Sequence, residues 1–131
     1  MPISAHFEND NHLVIWTFEG RWTWDDYYSQ RDTINHKIEE MPHLVNMIVD
    51  ITNGSILPQN VLSHTGTAVR KAPHNLGVIV IVGPSLILRT FFQFFKRMYG
   101  MFQPEQDKNL HMVSTLQEAH AILHQKLPKN D

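Results

Sequence analysis

The sequence predicts one α/β domain over residues 1–131, with a mostly parallel sheet and flanking helices built from repeated β–α units. Three observations lead to this prediction. Segments rich in β-branched and aromatic residues alternate with segments of helical periodicity. Residues 76–83 are apolar throughout, which is typical of a strand buried on both faces of a sheet. The chain contains no internal repeat or linker, and its length is sufficient for one hydrophobic core.

The chain begins with a predicted antiparallel hairpin. Residues 12–18 are rich in β-branched and aromatic side chains and predict a strand. Residues 3–8 are its expected antiparallel partner, and the Asn-Asp-Asn segment 9–11 forms the turn between the two strands. Gly20 ends the second strand of this hairpin.

A first helix is predicted between Thr23 and Pro42. Thr23 is a suitable N-cap, because its hydroxyl can accept a hydrogen bond from the amide three residues later. Asp25 and Asp26 place negative charge at the positive end of the helix dipole, and Pro42 ends the helix. One face of this helix collects six large side chains, namely Trp24, Tyr27, Tyr28, Ile34, Ile38 and Met41.

A strand and a second helix follow. Residues 45–51 predict the strand, and the pair Asn53-Gly54 predicts a turn directly after it. Pro58 suits the first turn of the next helix, in which Val61 and Leu62 are expected to face the core. The residues of this helix that we expect to face water are Asn60, Ser63, His64, Thr67, Arg70 and Lys71.

The last elements continue the alternation. Residues 78–82 are the expected central strand, and a third helix is predicted over about 85–99. A short strand at residues 110–113 leads into the final helix. Thr115 is the predicted cap of that helix, and Glu118 completes a capping box with it.

Composition excludes several classes of protein. The chain has no cysteine, which excludes disulfides, thiolate metal sites and a cysteine nucleophile. Its first residues lack the basic and apolar regions of a signal peptide. No apolar stretch reaches the length of about 18 residues that a membrane span needs. We therefore expect a cytoplasmic protein without a transmembrane segment.

Charge is distributed unevenly along the chain, although the net charge is only −2. Residues 1–57 contain nine acidic and three basic residues, whereas residues 58–103 contain five basic residues and no acidic one. This asymmetry can mark a surface for an anionic partner, or two faces that pair within the fold or across a dimer. Nucleic acid is not an expected partner, because five bases interleaved with aromatic residues make a poor track for phosphates.

Four strings in the sequence resemble the STAS family, especially its SpoIIAA-like branch of anti-sigma-factor antagonists. They are Phe18-Glu19-Gly20 after the hairpin, Val49-Asp50-Ile51 at a strand end, Val80-Ile81-Val82-Gly83-Pro84 before a helix, and the closing segment from Val113 to Ala119. The resemblance covers nearly the whole chain. It implies the SpoIIAA-like fold and a non-enzymatic role.

The chain departs from the family at the start of the second helix. Anti-sigma-factor antagonists carry an Asp-Ser-Ser-Gly type motif there, in which one serine is phosphorylated to switch partner binding. This sequence has Pro58-Gln59-Asn60-Val61 in that place, without a hydroxyl. Thr52 and Ser55 are the nearest hydroxyl residues, and both precede the helix. We therefore expect a module without the usual serine phosphoswitch.

Polar residues at the carboxyl end of the predicted strand 45–51 form a candidate site. Asp50, Thr52 and Asn53 stand at the carboxyl end of that strand, where open α/β sheets often bind ligands. An Asx-type turn that satisfies its own backbone explains the same residues. The only histidine pair with metal-ligand spacing is His120 and His124, which we interpret as solvated, so no metal site and no cofactor are expected.

The predicted third helix has an apolar arc that covers about half of the helical wheel, wider than the stripe of about 100° that one buried face requires. Part of the surplus can lie under the loop 101–107. The remainder would cover a second copy, another protein or an acyl chain. The residues of this candidate surface for a partner or an apolar ligand are Phe91, Phe92, Phe95, Met98 and Tyr99.

These observations lead to three functional hypotheses. The first is a non-catalytic STAS-like regulatory or protein-binding module that forms a homodimer through its third helix. The second is a carrier or peripheral binder of lipid or another small apolar ligand, because some divergent STAS-like proteins are thought to bind such molecules. The third, a small enzyme working at residues 50–53, is disfavoured by the absence of a nucleophile elbow and of a phosphate-binding loop.

Overall fold

The computed structural model describes residues 2–54, 64, 67, 71–86, 89–90, 93, 97 and 110–126. Five strands and two helices have defined bounds within these residues. They are β1 Ile3–Glu8, β2 Leu13–Gly20, α1 Trp24–Glu39, β3 Val45–Gly54, β4 Leu76–Val82, β5 Leu110–Val113 and α2 Leu116–Lys126.

The five strands form one sheet in the order β1-β2-β3-β4-β5. The pairing of β1 with β2 is antiparallel, as the sequence predicted for residues 3–8 and 12–18. The pairings β2–β3, β3–β4 and β4–β5 are parallel. The carboxyl ends of four strands therefore lie at one edge of the sheet, and β4 has a strand on each side.

The turn between β1 and β2 uses the residues that the sequence predicted. Asn9, Asp10 and Asn11 all have positive φ angles, of 54°, 52° and 67°. Asparagine and aspartate adopt this left-handed conformation more readily than other residues with a side chain. The His12 amide donates to the Asn9 carbonyl at 3.0 Å and closes the turn.

The predicted N-cap of α1 is confirmed, and Asp26 extends it to a capping box. The Thr23 hydroxyl accepts from the Asp26 amide at 3.1 Å, and the Asp26 carboxylate accepts from the Thr23 amide at 2.8 Å. The helix ends at Glu39, two residues before Met41 and three before Pro42. Ile34 and Ile38 are buried as predicted, but so is Arg31, which the sequence pattern had not placed on the inner face.

Helices cover both faces of the sheet. On one face, α1 packs Ile34 and Ile38 against a core cluster whose strand residues include Val14 and Trp16. On the other face, α2 packs Ala119 and Leu123 against strand residues. Those strand residues are Leu13, Ile15, Ile48, Val80, Val82 and Val113.

Strand β3 is longer than the sequence predicted. Thr52, Asn53 and Gly54 continue the strand instead of forming a turn after Ile51. The reason is tertiary, because β2 also extends and pairs Glu19 with Asn53 and Gly20 with Gly54 beyond an irregularity in the register. A neighbouring strand thus keeps an Asn-Gly pair extended where local propensity favours a turn.

The second and third predicted helices lie only partly within the described residues. His64 and Thr67 are helical, and so are Leu86, Arg89, Thr90, Gln93 and Arg97. Among the described residues, no helix is long and apolar enough to cross a membrane.

Candidate functional site at the carboxyl edge of the sheet

The carboxyl edge is defined here as the residues that end or directly follow β2, β3, β4 and β5. These strands are parallel, so their ends meet at one side of the sheet. Open α/β sheets place ligands at this edge because helix starts and strand ends expose polar backbone and side-chain groups there. Side chains from four strand ends are therefore the first place to look for a binding site.

Asp50 and Thr52 form a polar pair on β3. Oδ1 of Asp50 accepts from the Thr52 hydroxyl at 2.6 Å and from the Thr52 amide at 3.0 Å. The Asp50 side chain thus orients the Thr52 hydroxyl. Asn53, the third residue of the predicted site, is exposed on the same strand and pairs in register with Glu19 of β2.

Gly83 brings the end of β4 against Thr52. Its φ angle is +77°, a conformation that favours glycine. A Cβ atom at this position would collide with Oγ1 of Thr52 and would lie 2.8 Å from its Cα. On the other side, the Gly83 amide donates to the Val113 carbonyl at 2.9 Å. Gly83 therefore allows three neighbouring strand ends to approach closely.

Arg89 connects the segments that follow β4 and β5. Its Nη2 donates to the Ser114 hydroxyl at 3.1 Å. Ser114 directly precedes the capping box of α2, in which the Glu118 amide donates to the Thr115 hydroxyl at 3.1 Å. The Glu118 carboxylate accepts in return from the Thr115 amide at 3.1 Å, so the predicted cap is confirmed. The two helix starts are thus held together.

Two exposed leucines stand at these helix starts. Leu86 is 80% exposed and Leu116 is 40% exposed. Leu86 is the first described helical residue after β4, and Leu116 opens α2 directly after β5. Since β4 and β5 are neighbours, both leucines belong to the same part of the carboxyl edge. The pair is the exposed apolar part of an otherwise polar edge and is the candidate contact surface for a partner.

The β2 side of the carboxyl edge is aromatic. Trp22 lies against Gly54, where a Cβ atom would be 3.2 Å from its Nε1. Its ring meets Phe18 at 4.8 Å and Trp24 at 4.9 Å, both edge-on. Trp24 in turn stacks on His64 at 4.6 Å. The β2 end of the carboxyl edge is therefore occupied by a chain of aromatic rings that contact one another.

His64 packs against α1 and is half-buried, whereas the helical wheel predicted that it faces water. Its Nδ1 lies 2.5 Å from the Tyr28 hydroxyl, within hydrogen-bond distance. The contact joins residues 36 positions apart. The helical wheel only separates an apolar side of the helix from a polar side. Here α1 presents an aromatic ring and a hydroxyl group, against which a histidine can pack. The sequence carried no signal for this pair.

Two buried polar groups on α1 lie near this histidine. The Arg31 guanidinium is 4.7 Å from the centre of the Tyr28 ring and donates from Nε and Nη2 to Asp32, at 3.1 Å each. Its Nη1 has no hydrogen-bond partner among the described residues. Burial among the rings raises the pKa of Tyr27 to about 12, so its phenol stays neutral and cannot serve as a base at neutral pH.

The described residues contain no group of three or more histidine, cysteine or acidic side chains that is arranged to hold a metal ion. His120 and His124 are both exposed on α2. The predicted partner surface at Phe91, Phe92, Phe95, Met98 and Tyr99 lies outside the described residues, as does Pro58-Gln59-Asn60-Val61. Leu86 and Leu116 were not predicted as site residues, because an isolated leucine near a helix start has no distinctive sequence pattern.

The fold is similar to a known one. No protein-family model matches the sequence, and no curated protein matches it. A solved structure from Shewanella loihica PV-4 is similar: an uncharacterized protein from the DUF3478 family with a SpoIIAA-like fold. The similarity has a TM-score of 0.63 and covers 92% of this chain and 91% of that chain, at 15% sequence identity. The chain thus has the SpoIIAA-like fold that the resemblance to STAS domains implied, and similarity at this level of identity concerns the fold alone.

Proposed function

On the premise of this SpoIIAA-like fold, we propose that the chain is a non-catalytic, cytoplasmic regulatory module that binds a protein partner at its carboxyl edge. The observation that carries the proposal is the pair Leu86 and Leu116, exposed on two helix starts that Arg89 and Ser114 hold together. Exposed apolar side chains surrounded by polar groups match the apolar centre and polar rim of protein interfaces.

The polar groups at the β3 end of the carboxyl edge favour binding over catalysis. The Thr52 hydroxyl already donates to Asp50 at 2.6 Å, and this is the hydroxyl closest in sequence to Asp50. A nucleophilic hydroxyl needs a base that removes its proton and a space for the substrate, whereas Gly83 packs against this threonine. We infer that Asp50 and Thr52 shape the surface instead of reacting with a substrate.

The module that we propose works without a phosphoswitch. A phosphate on Thr52 would stand directly beside the Asp50 carboxylate and would replace the hydrogen bond between them. Repulsion between like charges opposes such a modification. Constitutive binding, controlled by the amount of protein, is therefore the mode of action that we propose for this chain.

Substitution at the leucines tests the proposal. The variants Leu86→Asp and Leu116→Asp should lose any proteins that the wild type captures from lysate of the native organism. Leu44→Asp is the matched control, because Leu44 is 62% exposed but precedes β3 at the opposite end of the sheet. Quantitative mass spectrometry of the captured proteins gives the measurement. Identical captured proteins for wild type, Leu86→Asp and Leu116→Asp would contradict the proposal.

The alternative proposal is a carrier of lipid or another small apolar ligand, which would use Phe91, Phe92, Phe95, Met98 and Tyr99 on the third helix. These side chains lie outside the described residues, and the same surface would serve the proposed homodimer. Native mass spectrometry of the purified protein separates the two. A co-purified ligand of defined mass favours the carrier, whereas a doubled protein mass without ligand favours assembly.

A further inference from the structure

The outer edge of β1 has unused hydrogen-bonding groups. In the antiparallel pairing with β2, Ser4 lies opposite Thr17, and His6 lies opposite Ile15. The Glu19 amide donates to the Pro2 carbonyl at 2.7 Å, which identifies the even-numbered residues of β1 as those that bond to β2. The peptide groups of Ile3, Ala5 and Phe7 consequently point away from the sheet.

One of these groups is already satisfied. Nε2 of Gln30 on α1 donates to the Ile3 carbonyl at 2.7 Å. Ala5 and Phe7 have no such partner for their outward amides and carbonyls among the described residues. Ile3 is also fully buried, so its outward amide is not accessible to a partner. The accessible free edge therefore begins beyond Ile3 and consists of two donors and two acceptors, at Ala5 and Phe7.

We propose that β1 pairs with β1 of a second copy in an antiparallel arrangement, with the two-fold axis at His6. This proposal concerns assembly and does not depend on what the carboxyl edge binds. In this register Ala5 of one protomer lies opposite Phe7 of the other, and the reverse. All four free groups of each strand are then paired, and the bond from Gln30 to Ile3 is undisturbed.

A second copy fits this edge for three reasons. A two-fold axis requires self-complementary surfaces, and an antiparallel strand pair has this property. The register centred on Ala5 would instead require the Ile3 carbonyl, which Gln30 already occupies. The side chains also match, because Ser4 of one protomer can donate to Glu8 of the other, and the small Ala5 lies beside the large Phe7.

Other occupants of the edge are less well supported. His6 and Glu8 contact each other at 3.0 Å, with side chains 55% and 44% exposed. These polar groups discourage an indefinite stack of strands but not a closed pair, since one pairing uses the whole edge. The strand at the opposite edge, β5, has only four residues and offers a shorter template.

The absence of cysteine allows a direct test by disulfide trapping. At a non-hydrogen-bonded antiparallel pair the Cα atoms are about 4.5 Å apart, within the range that a disulfide spans. The variant His6→Cys should therefore form a disulfide-linked dimer rapidly under mild oxidation. Ser4→Cys is the matched control on the same exposed face, because its symmetry mate would be about 13 Å away along the strand.

The result expected is crosslinking of His6→Cys several-fold faster than of Ser4→Cys, measured by non-reducing electrophoresis of variants whose folding circular dichroism has verified. Equal rates for the two variants would overturn the proposal. Addition of Ala5→Pro to His6→Cys should slow the crosslinking, because proline removes an outward amide that β2 does not use. If the double variant fails to fold, the comparison of the two cysteine variants decides alone.

Discussion

At the residue scale, close contacts between strand ends determine the local chemistry. Gly83 and Thr52 approach so closely that a side chain on the glycine has no space. Tyr27 is similarly confined, with Trp16 at 5.3 Å and Trp24 at 5.9 Å from its ring. Gly83 follows β4, whereas Thr52 lies on β3. Trp16 and Tyr27 lie on a strand and a helix, so tertiary packing contributes to both properties, and each leads to a prediction.

Tyr27 should make stability depend on pH in the alkaline range. Burial raises its pKa from 10.0 to about 12, so the folded state holds the phenolic proton more tightly than the unfolded state. The stabilisation is complete below pH 10 and is lost as the pH rises from 10 to 12. The total loss should reach about 2–3 kcal/mol.

Urea unfolding of wild type and Tyr27→Phe, at a series of pH values from neutral to alkaline, measures this effect. The variant lacks the ionisable group, so the decrease in its free energy of unfolding should be smaller than in the wild type. Parallel curves for the two proteins would show that Tyr27 does not titrate differently in the folded state.

Gly83→Ala should destabilise the protein strongly. The substitution forces alanine to a φ of +77° and drives its Cβ into Thr52. Gly20→Ala is the control, since Gly20 also has a positive φ, of +57°, but nothing lies within 4 Å of the added Cβ. We expect the control to cost about 1 kcal/mol and Gly83→Ala to cost more than about 2 kcal/mol in unfolding free energy. Equal losses in chemical denaturation would argue against the contact with Thr52.

At the scale of elements, the sheet is held by strands whose two faces differ in burial. Val80 and Val82 of β4 pack under α2 with exposures of 0% and 1%, whereas Ile79 on the other face is half-buried. Ile81, also on that face, is buried at 6% exposure. In an unbroken apolar strand, the hydrophobicity of a residue therefore does not by itself predict how much its side chain contributes to the free energy of unfolding.

We predict that Ile81→Ala lowers the free energy of unfolding by about 2–5 kcal/mol, because the substitution leaves a cavity between strand and covering side chains. Ile79→Ala removes the same atoms from a half-buried position and should cost less. Chemical denaturation of both variants gives the comparison. Amide exchange should also be slowest across residues 78–82, and rapid exchange there would contradict a central position for β4.

At the scale of the whole molecule, the proposals concern self-association. Two surfaces are proposed for it, the outer edge of β1 and the aromatic third helix. The first rests on unpaired backbone groups in described residues, and the second on the width of an apolar arc in the sequence. The two surfaces are compatible, because they belong to different elements.

The double variant Phe92→Ser with Tyr99→Ser separates these contributions. If the third helix forms the dimer interface or the ligand site, the variant should stay folded but lose self-association or ligand retention. The reason is that the two exposed aromatic rings, which the second copy or the ligand would bury, are absent. Sedimentation velocity and native mass spectrometry give the measurement. An unfolded variant would assign the two rings to the core and would remove the main support for a partner surface on that helix.

Much of the local architecture was predictable from the sequence alone. The N-cap of α1, the capping box at Thr115, the turn at residues 9–11 and the bounds of β5 all agree with the sequence predictions. These features depend on interactions between residues only a few positions apart, whose preferences are encoded in the chemistry of single side chains. The four short strings likewise led to the SpoIIAA-like fold.

Tertiary structure alone decided which surfaces meet. The extension of β3 to Gly54, the burial of Arg31 and the contact between His64 and Tyr28 all depend on elements that lie far apart in sequence. Helical periodicity orients a residue around the axis of its own helix, but it does not specify which neighbour covers that side. For the same reason the carboxyl edge, with Leu86 and Leu116 exposed at adjacent strand ends, emerges only when parallel pairing brings β4 and β5 together.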